Sequence, residues 1–374
     1  MTSALFSPIT IGDLHLPNRI AVAPMCQYSA DDGSATDWHL QHWMNLAMSG
    51  AGLVTIEATG VERRGRITHG CLGIYTDDNE AAAARTLAAA RRVASPGTKF
   101  GIQLAHAGRK ASTQRPWEGG GPLGPHEDPW QTVAPSAIPF SEGWNVPLAL
   151  DEAGIERLIA AFVSAAHRAR RAGFDFVEIH GAHGYLLHEF LSPISNHRTD
   201  AWGGSLDNRM RLIVAIAHAL RAALPSTMTI GARLSATEWV EGGFNPDEAV
   251  KVAAALKSEG VAFVCASSGG NVATAKVPIA PSYQVAFAEK IRREAKIATR
   301  AVGLIDDPLV AEAIIADGKA DLVALARAIL ADPRWPWRAA SLLGEPLKPV
   351  SQYARSAILF GKWAPPVVER QAAE

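Results

Sequence analysis

Eight short apolar runs recur along the chain, each followed by a stretch of helical periodicity, and this alternation limits the fold more than any other feature. The runs are "RIAVAPM" (19–25), "LVTIEATGV" (53–61), "KFGIQLAHA" (99–107), "FDFVEIHG" (174–181), "MTIGARLS" (228–235), "VAFVCASS" (261–268), "IATRAVGLI" (297–305) and "DLVALARAI" (321–329). Near-continuous apolarity over that length marks strands buried on both faces, as in a parallel sheet. The intervening segments, such as "DEAGIERLIAAFVSAAHRARRAG" and "NPDEAVKVAAALKSEG", begin on an Asp or Asn cap and end at glycine, as helices prefer. Eight βα units in succession close most simply into a (β/α)8 TIM barrel, with a doubly wound open sheet the weaker alternative. No Ser/Pro-rich linker or shift in composition divides the chain, so residues 1–374 read as a single domain.

Two segments interrupt the alternation. Residues 1–18 contain "ITIGDLHLPN", an alternating strand, a turn and a second strand, expected to form a hairpin that caps the bottom of the barrel. Residues 108–150, rich in Gly, Pro and Trp, separate the third strand from its helix. A loop of that length in a compact domain is either functional or disordered. This one leaves the C-terminal end of a strand and is expected to roof an active site. The tail, residues 346–374, follows the last unit.

Composition narrows the partners. With 48% apolar and 20% charged residues the chain can bury a large core, and a net charge of −1 favours neither nucleic acid nor an anionic membrane surface. No run of about 18 apolar residues offers a membrane span, and "MTSALFSPIT" lacks the basic start and apolar centre of a signal peptide. The three cysteines, Cys26, Cys71 and Cys265, are scattered, which argues for a reducing, cytoplasmic setting without a disulfide frame or an iron–sulfur set.

In a barrel the chemistry sits at the C-terminal ends of the strands. There the chain places Met25, Cys26 and Tyr28 after the first strand, Glu57 and Ala58 on the second, and Gln103 and His106 on the third. His180, His183 and Tyr185 follow the fourth, Arg233 the fifth, Gly303 the seventh, and Ala326 and Arg327 the eighth. Gly303 and Arg327 fall in the quadrant where barrels hold phosphate, which suits a phosphorylated cofactor, with a structural ion pair of Arg327 the lesser alternative. Gln103 has the donor and acceptor to read the edge of a planar heterocycle. Arg233 ends an apolar strand, where a permanent charge needs an anion, either a reduced flavin or an internal carboxylate.

The segment "HGAHGY" (180–185) has three readings. His180 and His183 could bind a metal with His188 or Glu189, although those two belong to the next helix. They could be core histidines satisfied by backbone. Or they could converge as two donors on one substrate oxygen, with Tyr185 as a proton source beside them.

These same residues carry a family likeness. "LPNRIAVAPMCQYS" (16–29), "QLAHAGRKA" (103–111), "HGAHGYLLHEFLSPISNHRTDAWGGSLDNRMRL" (180–212) and "LARAILADPRWP" (325–336) resemble the old yellow enzymes, and within them the bacterial thermophilic-like NADPH dehydrogenases and xenobiotic reductases. The resemblance covers nearly the whole chain and implies a non-covalently bound FMN reduced by NADPH, or by NADH. It implies that Ala23, Pro24, Met25 and Cys26 line the flavin and that Ala58 touches it through backbone. Gln103 would take the pyrimidine edge, Arg233 would lie near N1, and Gly303, Ala326 and Arg327 would hold the phosphate. His180 and His183 would bind the carbonyl oxygen of a small-molecule substrate, Tyr185 would give the proton, and Tyr28 would line the pocket.

The implied activity is ene-reduction, with hydride passing from FMN N5 to Cβ of an activated alkene and the proton from Tyr185 to Cα. The chain departs from the pattern at Ala326, where many relatives have Gly. A homodimer or homotetramer is implied too, with Arg355 of "QYAR" (352–355) reaching a neighbouring active site and Trp363 a rival for that part. The competing readings are a non-catalytic, redox-sensing flavoprotein using Cys26 and a dienoyl-CoA-reductase-like enzyme, the latter weakened by the missing iron–sulfur cysteines.

Overall fold

The computed structural model describes residues 3–346 and 349–359. Eight strands form a closed barrel: β1 (Ile20–Val22), β2 (Leu53–Gly60), β3 (Lys99–Ala105), β4 (Phe176–Gly181), β5 (Thr229–Ser235), β6 (Phe263–Ser267), β7 (Ala298–Ala301) and β8 (Leu322–Leu325). Each pairs in parallel with the next, and β8 pairs with β1 to close the ring. The helices form the outer layer. The one between β3 and β4, Glu152–Ala172, starts where the Asp151 carboxylate accepts from Gly154 N at 2.7 Å and ends at Gly173 with φ +97°. That pairing of an acidic cap and a left-handed glycine is the one its sequence signals.

The apolar residues divide into two bodies. The larger fills the space between the barrel wall and the helices. The smaller lies inside the barrel, where Phe176 and Phe263 meet edge to face at 5.8 Å between centroids. Gly101 and Gly231 make room for these rings, because a Cβ on either would overlap Phe176 or Phe263. Ile9–Ile11 and Leu14–Leu16 pair as the expected antiparallel hairpin, and Ile11, Leu14 and Leu16 join the interior cluster from below. Function is thereby confined to the other end.

The strands are shorter than the apolar runs. "DLVALARAI" divides into β8 and a helix over Arg327–Ala331, since periodicity cannot separate a buried strand from the buried start of a helix. The β2–β3 ladder slips one residue between Ile56 and Ala58. A bulge of this kind re-aims a side chain, and here Glu57 lies against His39 at 3.4 Å and accepts from Gln27 N at 2.8 Å. Residues 108–150 hold two short 3-10 turns and a two-residue ladder between Val133–Ala134 and Leu148–Ala149, with little other regular structure.

Phe176→Ala is expected to cost about 3–5 kcal/mol, because the interior beside Gly101 cannot collapse to fill the hole. A lowered urea midpoint with an unchanged denaturant slope would show it.

Candidate active site

The loop after β4 is held in a conformation that few side chains accept. His183 has φ +62° and Gly184 φ +72°, in the left-handed region. Gly184 lies so close to the loop after β6 that a Cβ would overlap the Gly270 carbonyl. Lys110 Nζ fastens the two loops by donating to His183 O at 3.0 Å and Gly270 O at 2.9 Å. Its ammonium also faces the Phe140 ring at 4.7 Å and the Tyr185 ring at 5.1 Å, so residue 140 of the long loop packs against the clip. Behind it, Ser235 Oγ accepts from His183 N at 2.9 Å and donates to Gly269 O at 2.9 Å.

This framework brings the three residues of "HGAHGY" together. The His180 ring lies 5.1 Å from the His183 ring and 5.2 Å from the Tyr185 ring, each roughly edge to face. His183 Nε2 bonds Ser267 Oγ at 2.7 Å, and that hydroxyl also accepts from Gln284 Nε2 at 3.3 Å. His180 Nδ1 is buried and has no protein partner. Burial, and next the charge of Arg233, holds both imidazoles well below their usual range, so both are neutral at physiological pH. Burial pushes the Tyr185 hydroxyl well up, which keeps its proton in place.

Beside them opens a cavity of about 730 Å³ lined by Ala23, His183, Arg233, Ser267, Gly303 and Arg327, among others. That volume suits a cofactor-sized ligand. Arg233 makes no ion pair among the described residues, and its Nε is buried without a partner. Of the two anions left open for it, an internal carboxylate is thus absent among the described residues. Gly303 has φ +114°, and a Cβ there would come within 3.0 Å of Gln284 Oε1. Exposed Arg327 and half-buried Arg338 stand at the rim, Arg338 paired with Asp332 at 2.9 Å, while Arg327 has no carboxylate partner among the described residues. Ala326 lines the same wall.

The other predicted residues surround this centre. Pro24, Met25, Cys26 and Tyr28 are half-buried on the segment leaving β1. Tyr28 has φ +52° and is held by Arg115 Nε, which donates to its carbonyl at 2.9 Å, and by the edge of Trp117 at 5.8 Å. Burial raises the Cys26 thiol well above its ordinary value, so it is not a thiolate. Ala58 and Tyr185 border a small void together with Cys71. Gln103 points to Glu178, donating from Nε2 to Oε1 at 2.8 Å. Arg355 is exposed on the turn Ser351–Ser356, and Trp363 lies outside the described residues.

His188 and Glu189 do lie on the next helix, Leu186–Leu191, and they serve the loop rather than the cavity. His188 Nδ1 accepts from Gly184 N at 2.8 Å, and Glu189 Oε1 accepts from Arg109 N at 2.8 Å. Among the described residues no group of three His, Cys, Asp or Glu is placed to hold a metal ion. The sequence reading missed Lys110, Ser267, Gln284 and Arg338 as parts of the site. Only Lys110 carried a signal, as a lysine in the motif "QLAHAGRKA" that follows the third strand.

Unpaired Arg233, the left-handed Gly303 turn and the rim arginines together fit a planar, phosphorylated, anionic cofactor. Residues 4–345 match the model of the NADH:flavin oxidoreductase / NADH oxidase family. The chain is 45% identical over 357 residues to an NADPH dehydrogenase of Geobacillus sp. (strain WCH70), covering 95% of this chain and 99% of the relative. The fold is similar to morphinone reductase, with a TM-score of 0.75, 30% identity, and 93% and 91% of the two chains covered. It is also similar to an old yellow enzyme homologue of Zymomonas mobilis, with a TM-score of 0.74, 27% identity, and 92% and 94% covered. The chain belongs to this flavin oxidoreductase family, the old yellow enzymes. It is an FMN-dependent NAD(P)H oxidoreductase.

Burial raises Glu189 to about 8 from an ordinary 4.5. The folded state therefore keeps a proton that the unfolded chain has released, so this group's stabilisation is fully present below pH 4.5 and is lost as pH rises through about 8. Glu189→Gln is expected to flatten the fall in melting temperature across that window, measured by calorimetry.

Proposed function

We propose that the protein is an NADPH-driven ene-reductase acting on α,β-unsaturated aldehydes, ketones, imides and nitroalkenes. The observation that carries this reading is the buried, unpartnered His180 Nδ1 beside neutral His183 and protonated Tyr185. A buried polar group without a partner costs about 1–3 kcal/mol, and a substrate oxygen would satisfy it. NADPH is preferred as reductant because the similar curated relatives carry the name NADPH dehydrogenase.

FMN, when bound, supplies the hydride chemistry; Arg233 would face its anionic edge, Gly303, Ala326 and Arg327 would hold its phosphate, and Ala23, Pro24, Met25, Cys26, Ala58 and Gln103 would surround its ring. The protein's own part is electrostatic and geometric. His180 and His183 donate to the substrate's electron-withdrawing oxygen and draw charge onto it as the double bond is reduced. Because both rings are neutral, they act as hydrogen-bond donors and keep their protons. Tyr185 delivers a proton to Cα, and Tyr28 with Trp117 frames the entrance. Such preorganised donors are each worth roughly 2.7–4 kcal/mol of barrier.

A redox-sensing role through Cys26 is disfavoured by the raised thiol, since the thiolate is the reactive form. We further propose a homodimer or homotetramer, with Arg355 at a subunit contact; Trp363 remains its alternative.

His180→Ala is expected to slow substrate reduction about 100-fold or more while leaving flavin reduction by NADPH nearly unchanged. Equal loss in both half-reactions by stopped-flow absorbance would overturn the oxygen-clamp role. Phenol titration of the wild-type protein should add a long-wavelength charge-transfer band to the flavin spectrum, and the same titration of His180→Ala should need far more phenol.

A further inference from the structure

Beneath the site, two full charges lie inside the barrel. Glu178 on β4 and Arg300 on β7 are both 0% exposed. Arg300 Nη2 donates to Glu178 Oε2, Nη1 donates to Thr55 Oγ1 at 3.0 Å, and the guanidinium lies 5.3 Å from the centre of the Phe263 ring. Strand side chains alternate faces, so Glu178 shares the inward face with His180, one layer deeper. Its remaining oxygen, Oε1, accepts from Gln103 Nε2 at 2.8 Å.

Burying such a pair is a poor way to gain stability. Desolvation offsets most of the attraction, and apolar side chains of similar size usually serve as well or better. What the pair does supply is a fixed polarity. Arg300 is permanently charged and pairs with Glu178, and a carboxylate in an ion pair only accepts hydrogen bonds. The group that Gln103 turns toward Glu178 must therefore be its NH2. The two orientations of an amide are otherwise close to interchangeable, and here the carboxylate chooses between them. The Gln103 carbonyl oxygen is the end left for a ligand.

We propose that the Glu178–Arg300 pair is a positioning device: it fixes the Gln103 amide so that Oε1 is presented to an N–H donor on the edge of the flavin. This rests on the reading of Gln103 as a flavin ligand. Glu178 and Arg300 act through Gln103 and are not catalytic. The consequence is directional. The site selects a ring edge that donates at this point, and it loses that selection when the carboxylate is removed, even with Gln103 in place.

A double-mutant cycle on FMN release tests this. FMN dissociation from the holoenzyme is followed by recovery of flavin fluorescence on dilution. The four forms are the natural chain, Gln103→Ala, Glu178→Leu with Arg300→Met, and all three substitutions together. Gln103→Ala is expected to weaken FMN binding about tenfold, the value of one good hydrogen bond. Replacing the pair should weaken binding to a similar extent, and adding Gln103→Ala to that background should cost less than about twofold more.

Losses that multiply instead would show that the pair acts independently of Gln103, and would overturn the proposal. No loss in Gln103→Ala alone would remove Gln103 as a flavin ligand, and the proposal with it. Circular dichroism checks that each form is folded. Where the apolar pair does not fold, Glu178→Gln takes its place in the cycle, since its amide can turn either group to Gln103. The flavin midpoint potential gives a second readout: it should shift on loss of the pair in the natural background and stay put once Gln103 is Ala. A shift of equal size in both backgrounds would count against positioning.

Discussion

Lys110 Nζ donates to the carbonyls of His183 and Gly270, 3.0 and 2.9 Å away, and through that one ammonium group two loops from different strands become a single wall. The arrangement of the site depends on it. His183 sits at φ +62°, an uncommon conformation for a residue with a side chain, and such strain persists only where the surroundings over-determine it. Here the constraints are the Lys110 clip, the Ser235 hydroxyl under His183 N, and the backbone approach of Gly184 to Gly270. With the turn so held, His180, His183 and Tyr185 converge although they lie on a strand, a loop and a helix start. Burial lowers Lys110 to about 8, because removal from water disfavours the charged form.

One cause also explains the protonation states at the barrel mouth. Desolvation opposes every charged form, and so lowers the two histidines and raises Tyr185 and Cys26. Arg233 places a permanent positive charge beside both rings. It thus adds to the pressure that keeps both imidazoles neutral, while its buried Nε lacks a protein partner. Burial first, and the charge of Arg233 next, thus hold both imidazoles uncharged.

The barrel was legible because its signals are local. Eight apolar runs, acidic helix caps and terminal glycines each act within a few residues, and each appears in the structure where its pattern stands, as at Asp151 and Gly173. The lengths of the strands were not legible, because an apolar run does not say where its ladder of hydrogen bonds ends. The second half of "DLVALARAI" turned into a helix for that reason. The candidate residues His180, His183, Tyr185, Arg233 and Gly303 could be placed at one end of the barrel from their positions after the strands, and they do lie there.

The sequence by itself determined that this chain closes a parallel barrel, that polar side chains gather at one end of it, and which family those motifs match. Only the tertiary structure decided how they are wired. The clip from Lys110, the turn of Gln103 toward Glu178 and the burial of Arg300 join residues 73, 75 and 122 positions apart. No local pattern encodes such pairs, since a buried charge is stable only where a partner from elsewhere in the chain arrives to meet it.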